Sequence, residues 1–581
     1  MTFEYLINLI NQPLRVTSPF FLILNFILVL FFFYLNRKNL FTFFKKISKK
    51  TWTILFLIIL LASFLRIIVT PHQTMMFEDE GWYRGTATKF LDIDVSYFRS
   101  GYYKSLGWPF IVSLGFLIFG KIALVANYLS SFLGILTVLN IFFIAFLLFN
   151  NEKIAIWSSF LFSLIPMHII WSGSAETNVA SLFFITLTVF VSSLYFKEKK
   201  ENLFWLSFLT LLFTFQIRPE NYFLLFLFLL GLLIFNICSF KKKKISKFVI
   251  GKLILIFLIF LICVPGLINN LDHYLSVQWN EGDTGGAVIT DNWSINNLKS
   301  NFLNHFPNLF NNYYHPLLFS IFFFIGFYFI FLKNKREFLF LIFWFLIFFF
   351  IYFISWPALG PKTRLFIAFY PITTIFAAVG INSLLGLIKN SSFRKFILII
   401  LVLFFLISFS FYLRKEITRI SFYLEGKMQT NLINLAEKNI LKDCAILANL
   451  PNMLVTIKDS KVFDLNEFLR NKKYREEIEN NSKCLLFFKD YTCDPLMQFM
   501  STWFESCYVL EKNYRLEPFL NYPSKLVDQD KKILKDFDLF FLNFSELLID
   551  PITLKEKTYF YKNNILGKNK TFGLYKVILK K

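Results

Sequence analysis

Apolar runs of roughly bilayer length recur along the first 413 residues, separated by short polar loops. A helix that crosses a hydrocarbon core needs about 20 mostly apolar residues, because there the backbone must satisfy its own hydrogen bonds. Such runs lie at 19–36, 51–69, 121–149, 154–171, 178–196, 203–217, 219–237, 248–266, 317–333, 337–355, 365–388 and 395–413, which makes twelve expected spans. No basic n-region precedes the first and no small-residue cleavage site follows it, so it reads as a retained helix. The apolar stretch 107–119 is short, begins Gly107-Trp108-Pro109 and ends at Gly120, and is expected to be interfacial or re-entrant. Counting it as a span would invert every later loop. Two long loops, 70–120 and 267–316, and a tail over 414–581 then share one side. In the tail, strand-like runs (Cys444–Leu447, Cys484–Phe488, Thr571–Leu579) alternate with helix-like polar segments such as Asn466–Asn480, which predicts an α/β or α+β domain. The expected fold class is a multispanning α-helical membrane protein of about 12 transmembrane helices with a C-terminal extracytoplasmic domain. Its expected divisions are 1–50, an extra helix and cytoplasmic loop, 51–413, the membrane core, and 414–581, the soluble domain.

Composition agrees: 56% of the 581 residues are hydrophobic, 82 are Phe and only 17% are charged. That excludes disorder, and six Cys exclude a disulfide-dense scaffold. A net charge of +23 invites a nucleic-acid reading, but the basic residues are not spread as a binding surface. Of the 33 Lys and Arg before position 414, 22 fall in alternate loops, including Arg37–Lys50, Lys197–Lys200, Lys241–Lys247 and Lys333–Arg336. Twelve of the 16 acidic residues in the same region fall on the opposite side. By the positive-inside rule the basic loops are cytoplasmic, and both termini and the tail are outside. The partners expected are therefore the bilayer and membrane-borne substrates, with no nucleic acid.

The scarce outer charges are where chemistry is expected, since ionisable groups beside a span are costly to keep. The densest group is Glu78-Asp79-Glu80 in Phe77–Arg84, just beyond the second span. Adjacent carboxylates repel, and a partly desolvated pocket separates their proton affinities, which turns one of them into a usable base. A solvated acidic turn is the plainer alternative. Asp79-Glu80, Tyr83 and Ala87 resemble the Asp-Glu-x-x-Tyr-x-x-x-Ala signature of C-type glycosyltransferases. Within these the chain is most similar to the family of protein O-mannosyltransferases and the lipid A aminoarabinose transferase. Tyr103-Lys104 with Pro109 and Phe119-Gly120, the stretch Ala126–Phe149, Pro166 with the Gly173–Asn178 loop, Arg218-Pro219, and Arg364 with Tyr370-Pro371 extend the resemblance over residues 50 to 390. The Arg usual in the family's next helix is not obvious here; Asn127 lies near its place.

The resemblance implies a C-type glycosyltransferase fold and sugar transfer from a polyprenyl-phosphate donor to a hydroxyl acceptor on protein, lipid or glycan, with inversion. Asp79 would take the acceptor's proton, with Glu80 tuning it or binding acceptor, and Tyr83 would bind substrate. Cationic Lys104, Arg218 and Arg364 would hold the lipid phosphate; snorkelling to headgroups is the alternative for Arg218 and Arg364. Glu176 resembles a second acidic residue facing the site, or else caps the helix that follows. No cofactor is required, and a divalent metal is the minor expectation: His72, His168, His273, His305 and His315 fall near the outer side, but none has the spacing of a helical metal pair. Cys444, Cys484, Cys493 and Cys507 in the tail are expected to form one or two disulfides of open connectivity. The alternatives are an oligosaccharyltransferase-like catalytic subunit, whose Trp-Trp-Asp motif has no counterpart here, and a lipid flippase or transporter, which the one-sided charges disfavour.

Overall fold

The computed structural model describes residues 3–73, 77–94, 105–240, 295–304, 306–310, 314–355, 360–419, 430, 433–434, 436, 444–454, 461–490, 493, 501–521 and 573–579. Among these, seven helices are long and apolar enough to cross a membrane: Thr17–Leu35, Lys49–Val69, Leu124–Phe149, Thr177–Glu198, Lys335–Phe353, Leu365–Leu387 and Ser391–Arg414. Four shorter apolar helices accompany them, at Gly107–Phe119, Glu201–Phe215, Pro219–Leu232 and Leu317–Lys333. The expected span 248–266 lies outside the described residues. The protein is thus a multispanning α-helical membrane protein. Several expected spans differ in form from single continuous α-helices: 51–69 ends in the π-helical turn Phe64–Val69, and 219–237 begins as the 3-10 turn Pro219–Phe223. Segment 154–171 is helical over Glu152–Ser163, breaks, and restarts at Pro166–Trp171, because proline cannot donate to the preceding turn and suits a first helical position. Segment 365–388 begins as the 3-10 turn Gly360–Phe369 and becomes α-helical at Tyr370–Leu387.

Among the described residues, loops gather at two ends of the bundle. At the basic end the Ser48 amide and hydroxyl and the Thr51 hydroxyl donate to Glu152 at 2.7, 2.8 and 2.6 Å. Lys46 pairs with Glu198 at 2.9 Å, and Asn36 donates to the Asn202 carbonyl. At the other end the segments 70–73, 127–131, 172–178 and 216–221 converge. Between the ends, apolar side chains pack without a water-driven reason to do so, and close backbone approach matters. Gly326 in Leu317–Lys333 and Gly380 in Tyr370–Leu387 face each other; a Cβ at Gly326 would run into the Phe376 carbonyl, and one at Gly380 into the Phe322 carbonyl.

One buried cation crosses this core. Arg66 has no exposed surface and does not snorkel; its guanidinium donates to the Ser163 carbonyl at 3.1 Å and meets His168 Nδ1 at 2.8 Å. It thereby ties the second span to the Pro166 break.

The tail forms a five-stranded mixed sheet in the order β2-β1-β3-β5-β4. The strands are β1 Cys444–Ala448, β2 Lys461–Asp464, β3 Cys484–Lys489, β4 Tyr514–Asn521 and β5 Gly573–Leu579. β1 is parallel to both neighbours and wholly buried, which explains its unbroken apolar run; β3–β5 and β4–β5 are antiparallel. Helices Leu465–Arg470, Lys472–Asn481 and Ser501–Asn513 accompany the sheet. The disulfides are Cys444–Cys484, across the β1–β3 pair, and Cys493–Cys507.

Candidate active site

The site is built from three elements meeting at the end of the bundle opposite the lysine-rich loops. The first is the helix Phe77–Leu91. Its acidic residues fall in the opening turn, where the helix dipole favours negative charge. Four residues apart on one face, Glu80 and Arg84 form an ion pair at 3.4 Å, with 0% and 2% of their side-chain surface exposed. A pair this deeply buried holds only if its remaining polar atoms find partners. Ser174 Oγ donates to Glu80 Oε1 at 2.9 Å. Arg84 Nη2 donates to Asn127 Oδ1 at 3.0 Å.

Asn127, in the second element, the helix Leu124–Phe149, is itself fully buried and satisfies two backbones at once. Its amide donates to the carbonyls of Gln73 and Gly173 at 3.1 and 2.6 Å. The third element is the turn Gly173–Glu176 leading into the helix Thr177–Glu198. Ser174 Oγ also accepts the Glu176 amide at 3.1 Å, so one hydroxyl bridges both acidic residues. Glu176 is the N-cap, accepting from the Thr177 amide at 3.3 Å. Trp108 locks the short helix Gly107–Phe119 onto this turn, donating to the Ala175 carbonyl at 2.7 Å.

Beside this network lies a small open cleft lined by polar Asn178, Ser181 and Arg218 and by apolar residues that include Leu182, Ile185 and Leu365. Arg218 is mostly buried and grips Glu220 through two hydrogen bonds, at 2.8 and 3.2 Å, and also donates to Asn178. Burial works against its charge, but Glu220 and the nearby Tyr352 and Tyr83 outweigh it and raise the guanidinium pKa above its ordinary value. Tyr83 of the carboxylate helix is therefore an electrostatic neighbour of the cleft. His72 stacks on Tyr128 at 4.2 Å and meets Ser131 Oγ at 3.0 Å; burial pushes its pKa down, against the Thr70 backbone.

Of the residues singled out in the sequence, Glu80 and Glu176 share Ser174, and Tyr83 neighbours Arg218. Asp79 is half-buried beside Glu80. Arg364 falls on the 3-10 turn Gly360–Phe369, whose Leu365, Ile367 and Ala368 line the cleft. Lys104, His273 and His305 lie outside the described residues. Arg84, Ser174 and Asn178 had no assigned role, and Asn127 was noted only for its place in the chain. No group of three His, Cys, Asp or Glu suited to a metal occurs among the described residues.

The bundle of membrane-crossing helices with its mixed sheet has counterparts among solved structures. The chain superposes on the oligosaccharyltransferase of Archaeoglobus fulgidus in its apo form with a TM-score of 0.51, at 11% identity, covering 91% of this chain and 88% of that one. The same enzyme in complex with Zn and sulfate gives 0.51, at 11% identity over 90% and 88%. The apo ArnT of Cupriavidus metallidurans gives 0.47, at 12% identity over 81% and 96%. An uncharacterized protein of Aquifex aeolicus (strain VF5) is 35% identical over 97 residues, which are 17% of this chain and 19% of that protein. No protein-family profile matches the sequence.

Proposed function

We propose that the chain is an integral membrane glycosyltransferase that moves a sugar from a polyprenyl-phosphate donor to a hydroxyl acceptor at the outer face, with inversion. The observation that carries this reading is a pair of adjacent carboxylates of unequal burial: Asp79 is half-buried, and Glu80 is fully buried against Arg84 and Ser174. The two adjacent carboxylates thus have different surroundings, which is the arrangement that separates a base from a structural or tuning acid. In the reaction the acceptor oxygen forms a bond to the anomeric carbon as its proton passes to Asp79. The bond from that carbon to the phosphate oxygen breaks on the opposite face, and the lipid phosphate leaves with the electron pair. The sugar passes through an oxocarbenium-like state. At the cleft, Arg218 would offer charge to the donor's phosphate, and the neighbouring apolar lining would offer contact to the start of an isoprenoid chain. Lys104 and Arg364 would add cationic charge, and Tyr83 and Glu176 would contact substrate. The tail and the long loops would then lie outside the cytoplasm, with the lysine-rich loops inside.

The test incubates purified protein with a panel of radiolabelled polyprenyl-phosphate sugars and hydroxyl acceptors, beside Asp79→Asn. A positioned base contributes roughly 10²–10⁴-fold, so the variant should fold and lose activity by that order. Wild-type activity in Asp79→Asn would remove Asp79 from this role. The superposition on an oligosaccharyltransferase favours one second reading, in which the donor is a lipid-linked oligosaccharide and the acceptor a peptide. Including that donor in the panel decides between them.

A further inference from the structure

The tail domain does more than sit above the membrane: it touches the carboxylate helix at one defined point. The 3-10 turn Pro451–Leu454 packs on the helix Phe77–Leu91, and Met453, 1% exposed, lies against Gly81, the residue after Glu80. A Cβ at position 81 would stand 2.8 Å from Met453 Sδ, 3.0 Å from its Cγ and 3.3 Å from its backbone nitrogen. The approach is therefore to backbone as well as to a flexible side chain, and glycine is what permits it. The same apolar cluster that holds Met453, Leu454 and Leu486 also includes Ala123, one residue before the helix that carries Asn127. One face of the tail thus bears on both helices whose side chains meet in the Arg84–Asn127 hydrogen bond.

The turn is held from behind. The strand that delivers it, β1, is hydrogen-bonded on both sides and stapled to β3 by Cys444–Cys484. The residue after β1, Asn449, is buried and donates to Cys507 Sγ at 3.1 Å, so the second disulfide anchors the entrance to the turn. The Met453 amide closes the turn on the Leu450 carbonyl at 3.0 Å. A rigid, cross-linked support ending on a glycine beside a buried carboxylate has the form of a brace, since loosely held contacts do not fix an active-site group.

We propose that Met453 is a positioning residue: the turn Asn449–Leu454, stiffened by the two disulfides, fixes the height and rotation of the helix Phe77–Leu91 and so aims its carboxylates. The claim rests on reading that helix as the seat of the reaction, but its test does not. The full chain in lipid nanodiscs is followed by hydrogen exchange with mass spectrometry, comparing wild type, Met453→Ala, Met453→Leu and the double variant Cys493→Ser/Cys507→Ser. Met453→Ala should speed exchange across 77–91 by about tenfold or more, the size expected when a buried contact to a locally opening element is lost. Met453→Leu, which refills the space, should stay within about twofold of wild type. The double Cys variant should fall between them. Exchange in β3 and β5, whose Leu486 and Leu574 share the cluster with Met453, should rise clearly less than over 77–91 in Met453→Ala. Unchanged exchange over 77–91 in Met453→Ala overturns the proposal, as does loosening that spreads equally through β3 and β5, because the turn would then support only its own domain. In a transfer assay the brace predicts a fall in kcat at constant donor KM. Should no sugar be transferred by any form, the exchange data still decide whether the brace exists.

Discussion

Asn127→Ala is the substitution that tests the site network most sharply, because a single amide closes three contacts between elements far apart in sequence. Its oxygen accepts from the buried Arg84 guanidinium at 3.0 Å, a bond to a charged group that contributes about 1.5–3 kcal/mol. Its nitrogen donates to the Gln73 and Gly173 carbonyls, at about 1 kcal/mol each. The Gly173 carbonyl keeps the Gln73 amide at 3.3 Å, so its loss is the smallest. The total comes to about 3.5–5 kcal/mol, or several-hundred-fold to several-thousand-fold in the equilibrium for local opening at about 1.4 kcal/mol per decade. Hydrogen exchange in nanodiscs should therefore show peptides over 173–178 and 77–91 opening at least about a hundred times more often, while the Asn36–Ser48 region at the basic end is unaffected. Asn127→Asp separates the terms: it keeps an acceptor for Arg84 but turns an acceptor toward two carbonyls, and should loosen 173–178 more than 77–91. Wild-type exchange at 173–178 in Asn127→Ala would show that the turn is held by other contacts, and the network described here would not be the one that matters.

Gly326→Ala should destabilise the bundle by about 1–3 kcal/mol or more, since the added methyl meets backbone on the facing helix and not a movable side chain; a thermal melt in nanodiscs at the wild-type temperature would refute this. Stability should fall between about pH 7 and pH 5: burial lowers the folded pKa of His72 and His315, so their contribution is complete above the unfolded value of about 6.5 and is lost as pH falls through the lowered values. The lowered carboxylate Glu152 loses its contribution only further down, so a melt that is flat over that window would contradict both histidine assignments. Lys46→Ala should cost no more than about 1 kcal/mol, because its pair with Glu198 is partly exposed; a larger drop in the melt would show unscreened coupling. Glu220→Gln frees Arg218 from its carboxylate and should tighten binding of polyprenyl phosphate several-fold, about 1 kcal/mol, in a vesicle or nanodisc titration; unchanged affinity would remove Arg218 from the phosphate site.

How much of this was legible beforehand follows from which interactions are local. Apolar runs and lysine-rich loops are properties of contiguous sequence, so the helices at 51–69, 178–196 and 337–355 and the alternation of their ends emerge from the chain directly. The strands of the tail that carry compact apolar runs, β1, β3 and β5, were visible for the same reason. β2 and β4 were not: Lys461–Asp464 is a partly exposed edge strand of four residues, and Tyr514–Asn521 contains Pro518 at a register shift, which weakens any strand pattern. The disulfide connectivity depended on β1 and β3 being neighbours, and no spacing reveals that pairing.

At the site, the sequence exposes charge but not commitment. Asp79, Glu80, Arg218 and Glu220 stand out because ionisable residues near spans are rare. Ser174, Asn127 and Asn178 are neutral and unremarkable in the chain, yet they determine which charges are engaged. The consequence is physical. Both described cations of the site already face carboxylates, Arg84 with Glu80 and Arg218 with Glu220, but with different exposure: 2% and 0% in the first pair, 15% and 17% in the second. Separating the first pair would leave a charge uncompensated in a low-dielectric interior, at a cost of about 3–5 kcal/mol. The second, partly exposed and also bonded to Asn178, would cost less to separate, as the proposed exchange of Glu220 for a phosphate requires. Arg84 is therefore placed to hold the carboxylate helix together, and Arg218 is the one that, in the proposed function, would meet an anionic substrate, although each looks like one more outer arginine in the sequence.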